Sequence, residues 1–100
     1  MSNEIVAMSA SLEAFMRAAV QKDVYWFEKI KIDFALALDR QRKESNLTIK
    51  QMSARSGIST QYIGRILRGD ANPSLETVVR LARSVRGEAT LSVGASSLEQ

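Results

Sequence analysis

Residues 47–69 read LTIKQMSARSGISTQYIGRILRG, and the apolar spacing on either side of Gly57 describes two short helices joined by a tight turn. Thr48 is placed to cap the first helix, and Ile49 and Met52 give it an inward face at i, i+3. The small Ser53 lets the next helix approach closely. Gly57 supplies the bend, because a residue without a Cβ reaches positive φ at no steric cost. Ile58 plugs the corner, and Ser59 caps the second helix. In that helix Ile63, Ile66 and Leu67 point inward, leaving Thr60, Gln61, Gly64, Arg65 and Arg68 outward. This is a helix-turn-helix, the commonest unit that reads DNA, and the outward residues are its reading face.

Beyond the second helix, Gly69 suits a left-handed cap, and residues 70–73, which include the only proline, form a loop. Ser74 then starts another helix, with Leu75, Val78, Val79, Ala82 and Val85 as its inward face, Glu76 near its N-terminus and Gly87 placed to stop it. Residues 89–93 alternate apolar and polar, which predicts a short strand. A single strand needs a partner, and in a helical chain the candidate is its copy in a second subunit. Residues 94–100 read as a tail.

Before the motif the chain also reads as helix. Leu12, Phe15, Met16, Ala19 and Val20 predict an amphipathic helix over residues 10–21, with Ser9 or Ser11 capping it. Asp23 can cap a longer helix over residues 24–44 that carries two apolar stripes. Phe27, Ile30, Phe34 and Leu38 fall on one side; Tyr25, Ile32 and Leu36 fall roughly 180° away at about 100° per residue. One stripe can pack on the motif, and the other needs a second surface. Trp26 lies between them, and its indole N–H requires an acceptor if buried.

The chain has 100 residues, enough for one domain with a single core and little surplus stability. It has no cysteine and no histidine, which removes disulfides, thiol nucleophiles, histidine bases and the common zinc sites together. No catalytic constellation remains, and neither a metal nor a cofactor is expected. No apolar run is long enough for a membrane span and no signal core is present, so a cytoplasmic protein is expected. The net charge of +3 is unevenly spread. Residues 37–87 hold ten Lys/Arg against four Asp/Glu, whereas residues 1–36 hold four against five. Positive charge thus gathers on the motif, as a surface that displaces counterions from phosphates requires.

Over about residues 34–86 the chain resembles the Cro/CI-repressor, or XRE, family of helix-turn-helix proteins. Leu47-Thr48, Gly57, Ile63, Ile66, and Gly69 followed by Pro73-Ser74-Leu75 stand where that pattern expects them. Ser53 stands where alanine is usual and Ser56 where a hydrophobic residue is usual. Some members pair an arginine late in their first helix with an acid ending the recognition helix; this chain has Arg42 but Leu67, so that pairing does not carry over. The resemblance implies an all-α, five-helix helix-turn-helix fold, here with an N-terminal helical extension and the short C-terminal strand. The layout expected is extension over 1–22, helix-turn-helix domain over 23–87, and dimerisation strand with tail over 88–100.

An α-helix fits the major groove, where each base pair shows its own donor and acceptor pattern. Gln61 and Arg65 are four apart and share a face. A glutamine amide matches N6 and N7 of adenine, and an arginine fork matches O6 and N7 of guanine, so these two are the specificity candidates. Thr60 can touch a thymine methyl, and the resemblance points to the same three positions. Gly64 costs about 1 kcal/mol of helix propensity relative to alanine; either close packing on the first motif helix or clearance for a base edge would account for it. Phosphate contacts are expected from Thr48, Lys50, Gln51, Ser59, Arg68 and Asn72.

The function expected is a homodimeric, sequence-specific repressor on a palindromic operator in double-stranded DNA. Within the family, an antitoxin of the HigA type is the alternative, with the aromatic N-terminal third masking a toxin protein; those residues equally suit a thicker core or a wider dimer interface. An interaction module that keeps the fold without binding DNA is a third reading, and an enzyme a distant fourth.

Overall fold

The computed structural model describes residues 2–95, with side chains described from Ser9 onward. Five helices follow in order: α1 (Ser2–Ala19), α2 (Asp23–Glu44), α3 (Ile49–Ser56), α4 (Thr60–Leu67) and α5 (Leu75–Ser84). No strand occurs among the described residues, and the fold is all-α. The described chain divides after Glu28 into an N-terminal unit and a unit spanning Lys29–Val93.

In the N-terminal unit, α1 starts well before residue 10, so Ser9 and Ser11 lie inside the helix and cap nothing. The preceding segment contains no glycine or proline to stop it. Its apolar stripe stays in solvent: Leu12 is 61% exposed, Phe15 68% and Met16 47%. The Trp26 indole finds its acceptor locally, donating to the Val20 carbonyl at 2.6 Å. Its ring meets Tyr25 edge-on, with centroids 5.1 Å apart.

The second unit is built around Leu38, Leu47, Met52, Ile63, Ile66, Ala71, Leu81 and Val85, with Phe34, Ile49, Ile58, Tyr62 and Leu67 packed at its margin. The first stripe of α2 therefore divides along its length: Phe34 and Leu38 enter the core, while Ile30 remains exposed. Ile32 and Leu36 of the second stripe are exposed as well. On α5 the buried set is Leu81, Ala82 and Val85 with half-buried Val78; Leu75 and Val79, expected inward, are exposed. Val79 is rotated about 100° from Val78 and falls outside the face that 78, 81, 82 and 85 define, whereas Leu75 shares that face with 78 and 82 but is the first residue of the helix, beyond the buried part of it. Ser56 takes the place of a core hydrophobe without an unmet polar group, because its Oγ accepts from the Ile58 N–H at 3.1 Å.

Three helix ends fold back in the same way. After α2, Asn46 takes a left-handed φ of 55°, and the Leu47 N–H reaches the Arg42 carbonyl at 3.1 Å. After α4, Gly69 at φ 77° lets the Asp70 N–H reach the Arg65 carbonyl at 2.9 Å. After α5 the left-handed residue is Arg86, at φ 63°, rather than Gly87. Gly87 follows it, where a Cβ would meet the Ala82 carbonyl and the Gln41 side chain, each at 3.3 Å. The last turn of α2 secures this corner, since Ser45 Oγ and Gln41 Nε2 both donate to the Val85 carbonyl, at 2.8 and 3.2 Å.

The single chain shows no strand at 89–93, where the strand was expected to pair with a second subunit. The segment after α5 has no regular structure through Ala95, and Leu91 and Val93 are exposed. Within one chain nothing offers it a ladder, so its alternating pattern finds no backbone partner. The expected tail lies outside the described residues from 96 onward.

Candidate nucleic-acid interface

Thr48 and Gln51 form a reciprocal capping box at the start of α3. Thr48 Oγ1 accepts from the Gln51 N–H at 3.0 Å, and Gln51 Oε1 accepts from the Thr48 N–H at 2.8 Å. In both bonds the side-chain oxygen is the acceptor, so the cap uses neither the Thr48 hydroxyl proton nor the Gln51 amide NH2. Lys50 follows on the exposed face. Gly57 closes α3 at φ 76°, where its N–H donates to the Ser53 carbonyl at 2.8 Å. The Arg80 guanidinium lies over it: a Cβ there would come within 2.8 Å of Nη2.

Ser59 caps α4 as expected, its Oγ accepting from the Tyr62 N–H at 3.1 Å. Ile63 and Ile66 are buried, which fixes the rotation of the helix and turns Thr60, Gln61, Arg65 and Arg68 outward as exposed side chains. Thr60 Oγ1 lies 3.4 Å from Gln61 Oε1, so the Gln61 carboxamide NH2 is left free to donate. Arg68 Nε stands 3.7 Å from an Asp70 carboxylate oxygen, and Asn72 is exposed in the following loop. The expected base-reading and phosphate residues thus sit on the start of α3, the outer face of α4 and the loop after it.

For Gly64 the packing explanation fails. A Cβ built there meets Arg68 Nη1 at 3.3 Å and no atom of α3 within 4 Å. Apart from Arg68, the space beside Gly64 is open.

Two features were not evident in the sequence. Arg65 Nη2 donates to the Asp70 carbonyl at 3.1 Å, and its guanidinium carbon lies 5.7 Å from the centre of the Tyr62 ring. The i, i+3 spacing of Tyr62 and Arg65 was a signal for the second contact. Arg42, without an acid on α4 to pair with, donates through Nε and Nη2 to Asp39 and through Nη1 to the Leu47 carbonyl at 3.0 Å. Hydrogen bonds from Lys43 and then Arg42 hold the Asp39 carboxyl below its ordinary value of 3.8.

A separate cleft between α3 and α5 is lined by Arg55, Ser56, Val79, Arg80, Arg83 and Ser84, and no residue of α4 contributes to it. Among the described residues no group of His, Cys, Asp or Glu could hold a metal ion, and no helix is long and apolar enough to cross a membrane.

Two short capped helices, a left-handed glycine between them and an outward polar face on the second define a helix-turn-helix protein. The family model described as helix-turn-helix matches residues 38–86, about half of the chain, and the chain is similar to that family over those residues. Over 46 residues the chain is 41% identical to the uncharacterized HTH-type transcriptional regulator y4dJ of Sinorhizobium fredii (strain NBRC 101917 / NGR234). That match takes in 46% of this chain and 60% of the relative, so the chain spans about three fifths of the relative's length. No solved structure gives a significant match.

Proposed function

We propose that this chain is a sequence-specific DNA-binding regulator of transcription, acting as a homodimeric repressor on a palindromic operator. The observation that carries this reading is the outer face of α4, where Gln61 and Arg65 stand exposed on a helix anchored by buried Ile63 and Ile66. Gln61 and Arg65 read base edges, Thr60 adds a methyl contact, and Thr48, Lys50, Gln51, Ser59, Arg68 and Asn72 hold the phosphates on either side. The relative's printed name, a transcriptional regulator, supports the same reading. Two-fold symmetry would set the two recognition helices about 34 Å apart, one turn of the duplex.

The test is selection from a random duplex library at about 0.15 M salt, with the Gln61→Ala, Arg65→Ala double variant alongside. The reading requires an enriched palindrome that the variant loses. A folded wild-type chain that enriches nothing refutes it.

A second reading draws on a different observation. Leu12, Phe15, Met16, Val24 and Phe27 are exposed, more apolar surface than reading DNA requires. In that reading the N-terminal helices mask a toxin protein while α4 reads the operator. A toxin encoded beside this chain, neutralised by the wild type but not by a Phe15→Ser, Phe27→Ser variant that still binds DNA, is the outcome it needs.

A further inference from the structure

Arg65 differs from the other outward residues of α4 in being held at two points. The left-handed turn at Gly69 brings Asp70 back over the last turn of the helix, where its N–H donates to the Arg65 carbonyl at 2.9 Å. That turn also presents the Asp70 carbonyl to the Arg65 side chain, which donates to it through Nη2 at 3.1 Å. On the other side the guanidinium lies 5.7 Å from the centre of the Tyr62 ring, within the range over which a cation is attracted to a ring face. Tyr62 is half-buried and packed against the core, so the ring is a fixed surface and not a second mobile side chain.

We infer that Tyr62 and the Asp70 carbonyl are positioning groups that set Arg65 as a guanine reader, resting on the DNA-binding reading above. A guanidinium has five N–H donors, and the Asp70 carbonyl uses one. Those remaining suffice for the paired bonds to O6 and N7 of guanine. A free arginine on a helix surface loses much rotamer freedom when it binds, whereas one already held loses less and holds its fork in a narrower range of directions. That narrowing acts on discrimination: a phosphate contact tolerates many directions, and a bidentate base contact does not. Tyr62 therefore affects the choice of base without touching DNA itself.

The probe is the duplex enriched by the wild-type chain, with its three base variants at the position whose preference Arg65→Ala abolishes. Tyr62→Phe keeps the ring face and should keep the guanine preference. Tyr62→Leu keeps an apolar anchor at the core margin and should reduce that preference about two- to fivefold, with the salt dependence of binding unchanged. A urea melt verifies that both variants fold. In the free protein, the Arg65 side-chain protons should show a ring-current shift in wild type and Tyr62→Phe that Tyr62→Leu lacks. Equal guanine preference in Tyr62→Leu and wild type overturns the inference. So does uniform weakening on all four duplexes, which would give Tyr62 a purely structural role. A wild type that selects no duplex instead fails the DNA-binding reading, and the ring-current comparison then shows separately whether Tyr62 holds the guanidinium.

Discussion

Replacing Gly64 by alanine should separate stability from binding. The position is in the middle of α4, with no left-handed backbone requirement, so alanine gains about 1 kcal/mol of helix propensity. Against that gain stands the contact with Arg68 Nη1 at 3.3 Å. This atom ends a flexible side chain that is 65% exposed and loosely paired to Asp70 at 3.7 Å, so a shift of a few tenths of an ångström costs little. The net should be a stabilisation of somewhat under 1 kcal/mol, a rise in Tm of about 4 °C for a chain of this size. Urea melts at fixed protein concentration should show a higher midpoint and an unchanged slope. If Gly64 provides clearance for a base edge or sugar, the added methyl then costs about 1 to 3 kcal/mol in affinity for the selected duplex, the usual range for a group forced into an occupied space. A variant both more stable and equally tight would refute the clearance argument. A destabilised variant would refute the propensity argument as well.

Other changes test the scaffold. Gly57→Ala should cost about 1 to 2 kcal/mol in a urea melt, because its φ of 76° penalises any Cβ; the Arg80 guanidinium can swing away, so adding Arg80→Ala should restore less than about 0.5 kcal/mol. Ser59→Ala removes the cap that receives the Tyr62 N–H and should cost about 1 kcal/mol by the same measurement. Arg86→Gly should stabilise by about 1 kcal/mol, since a non-glycine residue occupies φ 63° there, and a neutral or negative result would show that the arginine side chain offsets the strain. The folded Asp39 carboxyl is depressed below 3.8, so its stabilising contribution is complete above about pH 5 and is lost as pH falls through and below 3.8. The gap in urea midpoint between wild type and Asp39→Asn should therefore shrink on acidification, and a gap constant down to pH 3 would show that the Lys43 and Arg42 bonds do not favour the charged form.

How much of this was legible beforehand depended on the range over which each feature is determined. Caps are local: Thr48 and Ser59 as caps follow from residue type at the start of each helix and were read from the sequence, whereas Gln51, expected only at a phosphate, also closes the Thr48 cap through its Oε1. Gly57 was legible for the same reason. Inward faces were legible in α3 and α4, where a short helix has one side to bury. They were less so in α5, where Leu75 and Val79 are as apolar as Leu81 but face solvent, because a periodic pattern does not say where the neighbouring surface ends. The long α2 makes the same point. Phe34 is drawn into the core and Ile30, one turn earlier on the same stripe, is not. Contacts carried by backbone carbonyls were invisible altogether, since no side-chain identity encodes that Asp70 or Val85 offers its oxygen to a distant residue.

Backbone carbonyls also anchor the elements on either side of α4, and Arg42 and Leu67 leave no arginine-to-acid pair between α2 and α4. Leu67 removes that pair and adds apolar contact at the core margin instead. Arg42 is not left idle: it ties Asp39 on its own helix to the Leu47 carbonyl, the residue just before the capping box of α3. Beside it, Gln41 and, one turn on, Ser45 secure the Val85 carbonyl just after α5. The last turn of α2 thereby grips both the entry to the motif and the exit from the helix that closes its core. Between these fixed ends buried Ile63 and Ile66 set the rotation of α4, and the contacts on its outer face are light: Thr60 with Gln61, Arg65 with the Asp70 carbonyl, and Arg68 with the Asp70 carboxylate. Under the proposed DNA-binding reading, a helix anchored in this way would lose little conformational freedom on entering a groove, so the free energy of its base contacts would go mainly into affinity and discrimination.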